Sequence, residues 1–217
     1  MTPPGGHAER ILAHRGCWRD RAEQNTPGAL GAALAAGFGI ETDLRDRSRR
    51  IVISHDMPGP DAPLLDDVLS LPVAALGGPL ALNIKADGLA RTCRDLPSAV
   101  LERAFFFDMA VPDMREWLGL GLPVFTRHSD VETVPVHYAA AAGVWMDEML
   151  GPWITGSDIA RHLERGKRVG LISSELYGRP HHRLWAAARD LGSPDVMICT
   201  DLPEDCLRFL EGVADGP

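Results

Sequence analysis

Nine short apolar runs punctuate the chain, and amphipathic or alanine-rich segments fill the spaces between them. The runs are ILAH (11–14), IETDL (40–44), IVISHD (51–56), LALNIK (80–85), AFFFD (104–108), PVFT (123–126), GVWMDE (143–148), VGLISSEL (169–176) and VMICTD (196–201). Strands that are apolar on both faces and alternate with helices imply a parallel sheet covered by helices. HRGCWRD after the first run is not a glycine-rich dinucleotide fingerprint, which disfavours a Rossmann sheet. The expectation is therefore an α/β fold, a closed (β/α)8 TIM-type barrel, with 217 residues near the lower limit for one. Nine runs are one too many for eight strands. The remedy is an extra β-hairpin arm at the mouth, with IVISHD pairing antiparallel to the end of IETDLRD through the RSRR turn.

Local signals agree. Thr26 is a natural N-cap with Pro27 at the first helical position, and Gly37 is a natural stop. Ser157 and Gly166 bracket another helix in the same way. Segment 57–78 is rich in Pro and Gly but too short for an independent domain, so residues 1–217 are read as one domain.

Composition narrows the functions. Twenty-two basic against thirty acidic residues give a net charge of −8, which argues against a general nucleic-acid binder. The one basic cluster, Arg45 to Arg50, falls at the expected hairpin turn, as a solvated tip or a rim attracting an anion. No apolar run is long enough to span a bilayer, and no amphipathic membrane segment stands out, so no stable membrane association is expected. The N-terminal MTPPGGHAER lacks the apolar stretch of a signal peptide, which makes the cytoplasm the expected compartment. Cys17, Cys93, Cys199 and Cys206 form no CxxC pair and read as buried free thiols. Nothing in the pattern reads out an oligomeric state.

In a parallel barrel the C-terminal strand ends meet at one rim, where chemistry is placed. The polar residues delivered there include His14, Arg15, Glu41, Asp43, His55, Asp56, Asn83, Lys85, Asp108, Arg127, Asp147, Glu148, Glu175 and Asp201. Glu41 and Asp43 are two apart on a strand and point to the same side, so two carboxylates come together inside the barrel. A hard divalent cation, Mg²⁺ or Ca²⁺, suits such a pair. Lys85, or a salt bridge to Arg15 or Arg45, is the alternative source of positive charge. His14 and His55 titrate near neutrality, so one ring can serve as base and the other as acid. Neither stands in a zinc-type spacing. Asp56, adjacent to His55 on an extended chain, is expected to face away and anchor the hairpin. His128, His137, His162, His181 and His182 are expected to be solvated. Asn83 and Lys85 both project inward, and an ammonium beside a metal makes an electrophilic cradle for a phosphoryl oxygen. A rim of this kind suits phosphodiester cleavage.

At these residues the chain resembles the glycerophosphodiester phosphodiesterase family. That family's pattern is HRG, P-E-N-T, E-x-D, a V-x-x-H-D arm, E-x-K and a late T-D. His14-Arg15-Gly16, Asn25-Thr26, Glu41-Thr42-Asp43, Val52 to Asp56, Lys85 and Thr200-Asp201 match in order. The resemblance implies a metal held by Glu41 and Asp43, an acid–base pair of His14 and His55, and phosphate held by Arg15 and Lys85. The implied substrate is a small phosphodiester, glycerol- or sugar-linked.

Two departures stand out. Asn83-Ile84-Lys85 replaces E-x-K, so the third metal ligand is an amide, with Asp147 or Glu148 as the alternative carboxylate. Gln24 stands where P-E-N-T has its Glu, and Glu23 lies one position earlier. Trp145 and Asp147, with Trp18, are the candidates for contacting the sugar or glycerol part. The loss of one carboxylate also raises a second reading, a barrel that binds phosphodiester or polysaccharide ends without cleaving them.

Overall fold

A computed structural model describes residues 6–72 and 78–213; part of the Pro- and Gly-rich segment, 73–77, lies outside the described residues. The strands are β1 (Ile11–His14), β2 (Gly39–Arg47), β3 (Arg50–Ile53), β4 (Leu80–Ile84), β5 (Ala104–Phe107), β6 (Phe125–Ser129), β7 (Gly143–Asp147), β8 (Arg168–Ile172) and β9 (Val196–Thr200). Between them lie α1 (Pro27–Ala35), α2 (Leu65–Leu69), α3 (Ala90–Arg94), α4 (Ser98–Leu101), α5 (Val111–Gly119), α6 (Gly156–Leu163), α7 (His182–Leu191) and α8 (Pro203–Leu210). Eight strands run parallel in the order β5-β4-β2-β1-β9-β8-β7-β6. β5 and β6 meet at the bridge Phe106–Val124, where Phe106 N donates to Pro123 O at 2.9 Å, so the barrel is nearly closed. The connection from β6 to β7 departs from strict alternation, with turns and no helix among the described residues.

β3 is the extra run. It pairs antiparallel to the second half of β2, from Leu44↔Ile53 to Arg47↔Arg50. Ser48 and Arg49 form the two-residue turn with φ of 49° and 64°, both left-handed, as a tight hairpin with the right twist requires. That conformation normally goes to Asn or Gly; here two ordinary residues adopt it at an exposed tip.

Inside the barrel, alternate residues build an apolar plug of Leu12, Ala81, Phe105, Phe107, Phe125, Trp145, Ile172, Met197 and Cys199. Phe105 stacks on Phe125 at 3.9 Å and Phe107 on Trp145 at 4.1 Å between centroids, each pair contributing about 0.5–1.5 kcal/mol beyond burial. Room for these rings comes from a missing side chain: a Cβ on Gly170 would lie 2.4 Å from the Trp145 ring. The opposite strand faces pack against the helices in the larger outer core.

The capping signals have specific outcomes. Thr26 caps α1 by accepting from Ala29 N at 3.2 Å, with Pro27 in the first turn. The cap of α6 is Thr155, two residues before the expected Ser157, because Thr155 and Asp158 form a reciprocal capping box. All four cysteines are free; Cys93, Cys199 and Cys206 are buried and Cys17 is half-buried. Among the described residues, no helix is long and apolar enough to cross a membrane.

Candidate active site

β1 delivers the first group. After His14 the chain turns sharply through Arg15 and Gly16, with φ of 58° and 93°. A Cβ on Gly16 would lie 2.5 Å from the Ala29 backbone, so only glycine fits where the turn presses on α1. Arg15 N donates to Glu41 O at 2.9 Å and Asn25 N donates to Arg15 O at 3.0 Å, which fixes the turn to the β2 end and the loop before α1.

Register then brings the acidic pair into place. His14 is the partner of Glu41 across β1–β2, and Asp43 is the partner of Asn83 across β2–β4. Glu41, Asp43 and Asn83 are all buried. Asn83 Nδ2 donates to Glu41 Oε1 at 3.2 Å, and Asn25 Nδ2 donates to Asp43 Oδ2 at 2.9 Å. Arg15 Nε lies 3.1 Å from Asp43 Oδ2 and Lys85 Nζ lies 3.4 Å from Asp43 Oδ1, ion pairs without hydrogen-bond alignment. Arg15 and Lys85 thus both supply charge to Asp43, whereas Arg45 does not. Three acceptors remain: Glu41 Oε2, Asp43 Oδ1 and Asn83 Oδ1 are buried and accept no hydrogen bond. Burial, with Asp43 alongside, pushes the Glu41 carboxyl up to about 7.

Carboxylate and amide oxygens are the atom types that a hard divalent cation takes as ligands. A set of three His, Cys, Asp or Glu side chains that could hold a metal does not occur among the described residues, so such a site depends on the Asn83 oxygen. Glu148 is not the substitute. Its carboxylate accepts from Trp153 N and Ile154 N at 3.0 and 2.9 Å, from Ser174 Oγ at 3.2 Å, and pairs with Arg183. It lies just past the end of β7, and these contacts turn it away from the cavity and tie the loop before α6 to the wall. Asp147 does face inward, where Arg127 and Tyr177 occupy it, the latter donating at 2.8 Å.

The two imidazoles come from the end of β1 and from the segment after β3. His14 Nδ1 lies 2.6 Å from Asp201 Oδ1, which leaves Nε2 facing Glu41 Oε2 at 3.9 Å. Burial works to lower the His14 pKa, but the Asp201 hydrogen bond and the Glu41 and Asp201 charges outweigh it and raise it above the ordinary value. His55 lies just beyond β3, with its side chain 47% exposed, and Arg45 clamps its carbonyl with two donors at 3.1 and 3.0 Å. Arg45 is therefore more than a solvated residue of a hairpin tip. Asp56 does not anchor the hairpin with its side chain; its Oδ1 lies 3.0 Å from His55 Nδ1. Strand alternation fails there because β3 has ended at Ile53 and residues 55–57 bend.

His14, His55, Arg15, Lys85, Glu41 and Asn83 all line one cavity of about 330 Å³, together with Trp145 and Asp147. Asp43 lies behind that wall. Trp145 is 2% exposed and forms apolar floor rather than a rim surface for stacking. Trp18 donates from Nε1 to His14 O at 3.0 Å.

Several contributors that the sequence placed at the rim or in a motif gain a specific partner here. Asp201 orients His14, and Glu175 accepts from Asp201 N at 3.2 Å and from Thr200 and Ser173 hydroxyls. Gln24, in the place of the P-E-N-T Glu, accepts from Arg15 Nη1 at 3.3 Å. His162 is buried rather than solvated, with Nε2 2.9 Å from His128 Nδ1 and Nδ1 2.8 Å from Tyr138 OH.

No family model and no curated protein matches the sequence. Solved structures do match. A glycerophosphodiester phosphodiesterase from Parabacteroides distasonis is 17% identical with a TM-score of 0.66, over 95% of this chain and 98% of that one. A phosphodiesterase from Oleispira antarctica, in complex with the product sn-glycerol-3-phosphate, is 14% identical with a TM-score of 0.64, over 94% and 96%. A second Parabacteroides distasonis glycerophosphoryl diester phosphodiesterase is 13% identical with a TM-score of 0.61, over 95% and 87%. The chain therefore has the fold of the glycerophosphodiester phosphodiesterases.

Proposed function

We propose that the protein is a metal-dependent phosphodiesterase that hydrolyses a small phosphodiester, glycerophosphodiester-like or sugar-linked. One observation carries this reading: three buried acceptor oxygens of Glu41, Asp43 and Asn83, none accepting a hydrogen bond, stand beside a cavity lined by two histidines and the cations Arg15, Lys85 and Arg127. Glu41, Asp43 and Asn83 would hold a divalent cation, Mg²⁺ or Ca²⁺. When bound, the cation supplies positive charge to the phosphoryl oxygens.

The chain's own groups do the rest. Arg15 and Lys85 bind the phosphate and position it between the imidazoles. His14, with Nδ1 held by Asp201 and its basicity raised, keeps a proton on Nε2 and delivers it to the leaving alcohol. His55, on the arm, takes the proton of the attacking hydroxyl or water. The apolar floor of Phe107, Trp145 and Ile172 excludes water from beneath the reacting phosphate.

The ion pairs of Asp43 with Arg15 and Lys85 favour the second reading, since they balance that carboxylate without a metal. In that case the barrel binds diesters without cleaving them. Turnover of bis(p-nitrophenyl) phosphate separates the two: the enzyme hydrolyses it with Mg²⁺ or Ca²⁺ and stops in chelator, whereas the binding barrel is inert in both.

A further inference from the structure

A second hollow of about 470 Å³ adjoins the catalytic cavity, and Lys85, Asp108, Arg127 and Met149 line both. Met109 and Met114, each 5% exposed, line it with Val111, Val134, Val136 and Met149, and Thr126 and Glu132 complete the lining. Val134 is 77% exposed. Among the described residues, every exposed large hydrophobic side chain except Val213 lies in a segment that follows the C-terminal end of a strand, and Val111, Val134, Val136 and Met149 line this hollow. A soluble domain does not ordinarily gather its exposed apolar side chains beside its catalytic face.

We infer that this hollow holds an aliphatic arm of the substrate, so that one alcohol of the diester carries a linear alkyl or acyl chain. The inference rests on the phosphodiesterase reading. A phosphate at Lys85 lies on the wall common to both spaces, so an arm leaving it enters the hollow directly. Arg127, on that wall, pairs with Asp108, Asp147 and Glu132 and does not compete for an anion there. Methionine suits a flexible chain, being unbranched and polarizable. The volume falls in the range of small-molecule sites. A net charge of −8 disfavours docking on an anionic bilayer.

The test compares methyl and octyl p-nitrophenyl phosphate, both as dissolved monomers, on wild type, Val134→Asp and Val111→Asp. Val134 is exposed and Val111 opens α5, where an acidic residue is tolerated, so both variants fold; thermal melts check this. The expected KM of wild type is lower for the octyl diester by roughly tenfold or more. Each variant loses that preference and keeps its methyl turnover. Equal KM values in wild type, or an octyl preference that survives both substitutions, would overturn the inference. Calorimetry with octyl and methyl phosphate reads the hollow independently of turnover. If neither diester is hydrolysed yet octyl phosphate binds more tightly and Val134→Asp abolishes the difference, the hollow stands and the catalytic reading falls. No difference in either assay overturns the inference, as does loss of phosphatidylcholine-vesicle binding in the variants without any chain-length effect.

Discussion

His14 Nδ1 lies 2.6 Å from Asp201 Oδ1, a contact between residues 187 positions apart that sets which face of the imidazole is free. Asp201→Asn keeps the shape and removes the charge. Its kcat is expected to fall by roughly 10²-fold with little change in KM, and the His14 pKa in the metal-free protein is expected to drop toward the ordinary value. Steady-state kinetics and histidine NMR titration check both. An unchanged kcat would show that the pair is structural only.

His14→Ala and His55→Ala remove the acid and the base. Each is expected to lower turnover of bis(p-nitrophenyl) phosphate by roughly 10²- to 10⁴-fold with the thermal melt intact. Wild-type rates in either variant would remove that histidine from the mechanism.

Asn83→Asp puts a third carboxylate beside Glu41 and Asp43. Mn²⁺ affinity measured by calorimetry is expected to rise roughly tenfold, because another full charge faces the cation. Affinity that is unchanged or weaker would mean the residue 83 oxygen does not face the metal.

Gly170 gives way to the Trp145 ring, and its absent Cβ would sit 2.4 Å from that ring. Gly170→Ala is expected to destabilise the barrel by about 1–3 kcal/mol, read as a lower urea midpoint. A wild-type midpoint would mean that the floor repacks freely.

The His162 ring gives a pH dependence away from the cavity. Burial, with His128, Arg165 and Arg161 nearby, lowers its pKa to about 4 despite Asp158, and Tyr138 occupies its other nitrogen. The folded pKa lies below the unfolded value, so its contribution is complete above about pH 6.5 and shrinks as pH falls toward 4. Wild type is expected to lose up to about 1.4 kcal/mol per pH unit in that window from this group, and His162→Gln is expected to lose less. Parallel pH profiles of the two proteins would contradict the assignment.

Much of the site was legible because strand ends are legible. The period-two rule put Glu41 with Asp43, and the apolar runs ending in polar residues located the rim. The hairpin arm followed from counting strands. What the sequence concealed were contacts set by tertiary packing. Nothing local links Asp201 to His14, or buries His162 on a helix that looks half polar. Glu148 and Asp147 are adjacent, and only the register decides which one enters the barrel. Trp145 is two residues deeper than the rim, which turns a candidate stacking surface into floor. Asp56 turned toward His55 because the strand had already ended, so alternation no longer applied.

The most direct measurement is an anomalous difference map from crystals grown with Mn²⁺. The predicted result is a peak within about 2.6 Å of Glu41, Asp43 and Asn83 oxygens, between the His14 and His55 rings. A map with no peak at millimolar Mn²⁺, and Asp43 still bridging Arg15 and Lys85, would contradict it.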